Sequence, residues 1–107
     1  MAQAGSSFSK TTTALEGSTT PEIFNLSAPT ANTEVSQALP TGTKQLLIRV
    51  RARARAQFSF VSGESSTKYI TIRPGTVYKA EGLKLTGQTL YIQTDAASQT
   101  IEIETWR

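Results

Sequence analysis

The stretch LLIRVRARARAQFSF, residues 46–60, determines the predicted fold. Every even-numbered residue in it is apolar, while the odd-numbered residues after position 48 are four arginines, a glutamine and a serine. Alternation with a period of two separates these two sets onto opposite faces of a β-strand, whereas a helix would scatter the arginines around its axis. We therefore predict β-structure with the apolar set facing the core.

One straight strand cannot hold this whole stretch. Fifteen residues, at about 3.3 Å each, would span about 50 Å. A domain of this size has a radius of gyration of only about 13 Å. The segment is therefore expected to bend, and the small side chains of Ala52, Ala54 and Ala56 make these positions the expected place.

Short segments in which apolar and polar residues alternate fill the rest of the chain after residue 20. The expected strands cover residues 22–27, 33–39, 68–73, 76–80, 83–85, 89–94 and 99–106. Turn-forming residues separate them, and no segment longer than a turn has a helical period. Ile70 and Ile72 are expected to face inward. The pattern predicts an all-β fold, an antiparallel β-sandwich or jelly roll, in a single domain over residues 21–107.

Residues 1–20 have a different composition, dominated by Ser, Thr, Ala and Gly. Phe8 and Leu15 are the sizeable apolar side chains of this segment. Two such side chains do not offset the conformational entropy lost when twenty residues become ordered. We expect an extended N-terminal arm that becomes ordered against a partner, with Phe8 and Leu15 inserting into that partner.

The chain has a formal net charge of +3, unevenly distributed. Residues 1–43 hold one lysine and three glutamates, whereas residues 44–107 hold ten basic and five acidic residues. The first residues lack the basic and apolar regions of a signal peptide, and no apolar run approaches the roughly 20 residues of a membrane span. We expect a protein that is neither exported by a signal peptide nor inserted in a membrane.

Residues suited to catalysis or metal binding are scarce. The chain has no histidine and no cysteine, which excludes a histidine base, a thiol nucleophile and ordinary zinc sites. Glu102 and Glu104 lie about 6.6–7 Å apart on one strand face, a separation that two glycosidase carboxylates can have. Nothing near them in sequence suggests a sugar-binding cleft, so we interpret them as a solvated strand face. We expect no enzymatic activity, no cofactor and no metal.

The candidate binding residues of the central stretch are Arg49, Arg51, Arg53 and Arg55. Three interpretations of this row remain open: it is braced across strands by Glu102 and Glu104, it docks an acidic protein partner, or it binds nucleic acid. Proteins that bind single strands interleave aromatic and basic side chains. Here the phenylalanines share the parity of the alanines, which disfavours nucleic acid.

Trp106 is a further candidate binding residue. It shares the parity of Glu102 and Glu104, so a regular strand places it on the outer face of the sheet. An exposed tryptophan is a typical anchor at a protein interface. Alternatively, Trp106 covers the end of the core where the strand twists.

Three segments resemble small virion proteins of tailed bacteriophages: residues 39–52 (LPTGTKQLLIRVRA), 58–78 (FSFVSGESSTKYITIRPGTVY) and 81–106 (EGLKLTGQTLYIQTDAASQTIEIETW). In those proteins a strand follows a Leu-Pro-x-Gly-Thr turn, an aromatic-rich strand leads into a Ser-Gly loop, and the chain closes on a Glu-Trp strand. The arginine run departs from them, because glycine often occupies their bend.

The resemblance implies a non-enzymatic sandwich or jelly-roll domain on the capsid or connector, most specifically a head decoration (cement) protein. The implied partners are the major capsid protein or other virion subunits, together with further copies of the chain as a homo-oligomer. The implied location is the virion, assembled in the host bacterial cytoplasm. The alternatives are a neck or tail structural component and a basic nucleic-acid-binding β module.

Overall fold

The computed structural model describes residues 20–107, and every regular element in that range is a β-strand. The strands are β1 (Pro21–Ala28), β2 (Val35–Ala38), β3 (Gln45–Val50), β4 (Ala56–Ser59), β5 (Ile70–Ile72), β6 (Tyr78–Glu81), β7 (Thr89–Thr94) and β8 (Gln99–Trp106). Within residues 20–107, no helix is long and apolar enough to cross a bilayer.

The eight strands form two four-stranded antiparallel sheets, ordered β1-β8-β3-β6 and β2-β7-β4-β5. Every connection except the one between β4 and β5 carries the chain from one sheet to the other. Eight strands in two sheets with this crossing order form a jelly roll. The all-β sandwich predicted from the sequence is confirmed, and its topology is the jelly-roll one.

The core lies between the two sheets. Its fully buried large side chains are Leu46, Ile48, Phe58, Leu90, Ile92, Ile101 and Ile103. Each one comes from the apolar set of an alternating strand, and burial of such a side chain contributes about 1.5–3 kcal/mol. The ring of Phe58 packs edge to face against Tyr78, with 4.7 Å between ring centroids.

The arginine-rich stretch bends where small side chains were expected to allow it. β3 ends at Val50 and β4 begins at Ala56, so residues 51–55 carry the chain between the sheets. Ala54 and Ala56 are buried, but Ala52 is exposed. The prediction that every apolar residue of the stretch faces the core is therefore wrong at Ala52, because strand alternation does not continue through the crossing.

Two other apolar residues are more exposed than the sequence pattern indicated. Ile70 is 49% exposed because β5 is an edge strand, with β4 on one side and no strand on the other. Phe60 is 39% exposed because β4 ends one residue earlier, at Ser59, and the chain then turns. Both corrections come from the position of a residue in the sheet, which local alternation does not specify.

The strand predicted over residues 83–85 is absent from the sheets. The amides of Leu83 and Leu85 instead donate to the carbonyls of Lys44 and Thr43, at 3.0 and 3.1 Å. This segment therefore runs beside the start of β3 as irregular structure, with both leucines packed against the core.

Candidate partner-binding surface

Four connections meet at one end of the sandwich: residues 29–34, 51–55, 73–77 and 95–98. Two backbone hydrogen bonds of 3.0 Å, Ser98 N to Pro29 O and Asp95 N to Arg55 O, join the first, second and fourth of these connections, and Asn32 N donates to Thr94 O at the end of β7 (2.7 Å). Because these connections include Arg51, Arg53, Arg55 and Arg73, we call this the arginine end. Both ends of the described chain lie at the opposite end, where the loop over residues 60–69 also leaves and re-enters its sheet.

Glu102 on β8 binds two arginines of the row. Its carboxylate accepts the Nε–H groups of Arg49 at 2.6 Å and of Arg51 at 2.7 Å. Arg51 also donates to the Asn25 side chain at 3.2 Å. The hydrogen bond from Arg51, followed by that from Arg49, holds the pKa of Glu102 below its usual value. A carboxyl group kept ionised in this way is a poor general acid.

Glu104 does not brace the row. Within residues 20–107 its carboxylate makes no ion pair, and in the sheet it lies in register between Ile23 and Leu47. The predicted cross-strand bracing is therefore right for Glu102 and wrong for Glu104.

Arg53 and Arg55 lie in the crossing. Arg55 forms a long ion pair with Asp95, at 3.9 Å, and its amide donates to the same carboxylate at 3.1 Å. The guanidinium of Arg53 lies over Gly75, so that a Cβ atom at Gly75 would come within 2.8 Å of Nη1. Neither Arg53 nor Arg73 forms an ion pair with any carboxylate of residues 20–107. The arginine end therefore keeps uncompensated positive charge.

Apolar surface lies beside the arginine row on the outer face of the β1-β8-β3-β6 sheet. Ile23 is 68% exposed, and with Leu47, Arg49 and Glu102 it lines a shallow depression of about 280 Å³. An exposed aliphatic side chain beside guanidinium groups is typical of protein interfaces, where arginine is enriched and the centre is apolar.

Trp106 lies at the other end of β8. It is half-buried on the outer face, in register between Pro21 and Gln45, and its carbonyl accepts a hydrogen bond from the Lys44 amide at 2.7 Å. Its strand parity is that of the outer face, its partial burial is compatible with either interpretation of this residue, and it does not join the arginine row. Phe8 and Leu15, the predicted anchors of the arm, lie outside the described residues.

The sequence predictions missed a second exposed surface. Phe60, Val61, Tyr69 and Ile70, which we call the apolar patch, flank the β4–β5 loop and are all exposed. With Phe58, Ser59 and Lys68, three of these residues border a depression of about 400 Å³. Two pairs of consecutive apolar residues, at 60–61 and 69–70, could have indicated this surface. In a strand, consecutive side chains point to opposite faces, so one member of each pair would point away from the core.

A polar network anchors the loop that carries the apolar patch. Glu34 accepts the Gly63 amide at 2.9 Å and the Ser65 hydroxyl at 2.6 Å. Ser65 is buried, and its Oγ also lies 3.1 Å from Oε1 of Gln93 on β7. The hydrogen bond from Ser65, followed by that from Gly63, lowers the pKa of Glu34. The loop is therefore fixed over the outer face of its own sheet.

No group of three or more acidic, histidine or cysteine side chains that could hold a metal ion occurs within residues 20–107. The space between the sheets is filled by the aliphatic and aromatic core. In the part of the chain that the structure describes, the candidate binding features are therefore the arginines and exposed apolar side chains of the surface.

Comparisons with known proteins add information on the fold. No protein-family model matches the chain, and no curated protein matches it. Among solved structures, it is similar to a de novo designed double-stranded beta-helix determined by solution NMR, with a TM-score of 0.50 and 16% sequence identity. The match covers 83% of this chain and 100% of the designed one. At that identity the similarity concerns the fold alone.

Proposed function

We propose that this chain is a non-enzymatic structural protein of a tailed-phage virion, which binds the assembled capsid shell and stabilises it as a head decoration (cement) protein. The resemblance of residues 39–52, 58–78 and 81–106 to small virion proteins is one support. The jelly-roll fold is another, since this architecture recurs in viral capsid proteins. The fold argues by analogy, because one architecture hosts many functions.

The observation that carries the binding role is the outer face around Ile23 and Arg49. Ile23 is 68% exposed and adjoins the arginines held by Glu102, so apolar and guanidinium groups lie side by side on this face. A capsid surface that offers carboxylates around an apolar depression would complement this face. Arginine suits the role because its planar head can bind a carboxylate through two hydrogen bonds.

The core supports a structural role. Where a ligand-binding jelly roll would need a cavity, the sheets here enclose Phe58, Leu90 and Ile103, all fully buried. Glu102 is also a poor candidate for a general acid, since the hydrogen bonds from Arg51 and Arg49 lower its pKa.

The alternative of a basic nucleic-acid-binding module has less support. Binding of single strands needs aromatic faces beside the basic groups. Phe58 is buried in the core, and Phe60 belongs to the apolar patch rather than to the arginine row. A neck or tail component remains compatible with the same fold and differs only in its location on the particle.

Co-sedimentation with capsid shells that lack the protein tests the proposal. The wild-type chain should pellet with the shells to a saturating stoichiometry. Ile23→Ser should weaken this binding about tenfold or more, since it removes an apolar interface anchor. Val77→Ser is the matched control, because Val77 is also exposed, at 47%, but lies at the arginine end. Val77→Ser should bind normally.

Failure of the wild-type chain to pellet with shells would contradict the proposal. A shift of random single- or double-stranded DNA at moderate salt, without shell binding, would favour the nucleic-acid module instead. Location of the chain in tails or necks would favour the other alternative.

A further inference from the structure

We propose that the apolar patch and the open edge of β5 form a twofold-symmetric interface with a second copy of this chain. The inference gives the expected homo-oligomer a specific surface, and it does not depend on capsid binding. It places β5 of one copy antiparallel to β5 of the other, so that two four-stranded sheets become one eight-stranded sheet.

Exposed apolar area is the first support. Phe60, Val61, Tyr69 and Ile70 are between 39% and 54% exposed, and they cluster around one loop. Contiguous apolar surface of this kind is typical of interaction sites in folded proteins. Because Glu34 and Ser65 anchor the loop, little conformational entropy would be lost when the patch is covered.

The edge itself is the second support. β5 pairs with β4 on one side only, and the sequence Ile70-Thr71-Ile72 contains no charge and no proline. The other edges are less suited to pairing: β1 begins with Pro21 and Glu22, β6 carries Lys79 and Glu81, and β2 has no large exposed apolar side chain. Proline and charged residues commonly protect a sheet edge; β5 lacks both, and its remaining protection is its length of only three residues.

Strand register is compatible with self-pairing. If the twofold axis passes through Thr71, Ile70 lies opposite Ile72 of the second copy, so the apolar row of one sheet continues into the other. The same register sets Tyr69 opposite Arg73 of the second copy, where a guanidinium can stack on the ring. Thr71 meets its own equivalent on the polar outer face.

Charge distribution favours a second copy over an acidic partner. Lys68 borders the apolar patch and Glu64 lies on the same loop, so the loop carries little net charge, whereas Arg53 and Arg73 lie at the arginine end. Antiparallel pairing of β5 sets Arg73 of each copy beside Tyr69 of the other and points the two arginine ends in opposite directions, which limits repulsion between two chains of net charge +3. An acidic protein would be attracted to the arginine end instead.

Sedimentation velocity of the full chain over a range of concentrations tests the interface. We expect a reversible monomer–dimer equilibrium. Ile70→Lys should raise the dissociation constant about tenfold or more, because it places a charge on the edge at the centre of the interface. Ile23→Lys, equally drastic and at an exposed site on the other sheet, should leave the equilibrium unchanged. Circular dichroism confirms that both variants are folded.

A disulfide provides an independent readout, because the chain contains no cysteine. Thr71→Cys should form a disulfide-linked dimer under mild oxidation, since paired antiparallel strands bring opposite Cα atoms to about 4.5–5.5 Å. Ser36→Cys, an exposed position on β2, should remain unlinked.

Several results would overturn the proposal. These are a monomer at every concentration, a trimer, a dimer that is insensitive to Ile70→Lys, and a lack of linkage at position 71. If the full chain dimerises only after Phe8→Ser and Leu15→Ser, the N-terminal arm occupies the apolar patch, and the second copy is not its partner. Because none of these measurements uses shells, they fail or succeed independently of the capsid proposal.

Discussion

At the scale of single residues, Gly75 allows Arg53 to lie against the backbone of the β5–β6 connection. Gly75 has a positive φ of 78°. Gly82 also has a positive φ, of 69°, and a Cβ atom added there would have no neighbour within 4 Å. Gly75→Ala and Gly82→Ala should each cost about 1–2 kcal/mol, the price of a left-handed alanine. The two substitutions should lower the free energy of unfolding equally, because the Arg53 guanidinium can move away from the added methyl group at position 75. Urea denaturation checks this, and a markedly larger loss at Gly75 would show that Arg53 is held rigidly.

A second residue-scale prediction concerns Glu34 and pH. Its pKa is lowered by Ser65 and Gly63, so its stabilising hydrogen bonds are complete above the unfolded value of about 4.3 and are lost as pH falls through the lowered pKa. Glu34→Gln should cost about 1 kcal/mol at neutral pH. The variant should also lose less stability than the wild type between about pH 5 and pH 2.5, measured as melting temperature against pH.

Glu64→Gln is the matched control for Glu34, because Glu64 lies on the loop that Glu34 holds and its own carboxylate accepts no hydrogen bond within residues 20–107. It should keep the acid sensitivity of the wild type. Equal acid sensitivity in Glu34→Gln and the wild type would contradict the role assigned to Glu34.

At the scale of elements, β4 shows how strongly the two sheets depend on one core residue. Phe58 is fully buried and packs against Tyr78, so Phe58→Ala should destabilise the domain by about 3–5 kcal/mol. Ile23→Ala, at an exposed site on β1, should change stability by no more than about 0.5 kcal/mol. Chemical denaturation followed by fluorescence of Trp106 measures both. A small loss for Phe58→Ala would mean that the core is not centred between these sheets.

The sequence predicted strands where apolar and polar residues alternate strictly, but it did not predict the exposure of residues at sheet edges and strand ends. The period of two in residues 46–60 is a local property, so it predicted the strand character of β3 and β4, and the length of the stretch predicted the bend between them. The exposure of Ile70 depends on β5 lying at an edge, and the exposure of Phe60 depends on where β4 ends. Both are set by pairing with distant segments, which alternation does not report.

At the scale of the whole molecule, the predicted binding residues separate into two places. Arg49 to Arg55 were predicted as one face. In the structure Arg49 lies on β3, Arg51 begins the crossing but shares Glu102 with Arg49, and Arg53 and Arg55 lie further into the arginine end. Trp106 lies at the opposite end. The positions of the arginines depend on residues 51–55 crossing from one sheet to the other. This crossing is a property of the topology, and the alternation of residues along the chain does not predict it.

The N-terminal arm yields a whole-molecule prediction. Removing residues 1–19 retains Thr20, whose amide and carbonyl form backbone hydrogen bonds with Arg107 at 2.9 and 3.0 Å. The core strands are untouched, so the melting temperature should change by no more than a few degrees. Binding to shells should weaken strongly, because Phe8 and Leu15 are lost. Unfolding of the shortened chain would place the arm in the core, and undiminished shell binding would assign attachment to the Ile23–Arg49 face alone.

The most direct measurement of the structural role is electron cryomicroscopy of shells incubated with a saturating amount of the full chain. The proposal predicts additional density of jelly-roll shape at regular positions on the outer surface, with the Ile23–Arg49 face turned toward the capsid. It also predicts that saturated shells resist heat or chelator treatment better than bare ones. Density confined to a neck or tail, density inside the shell, or no added density would contradict the assignment as a capsid decoration protein.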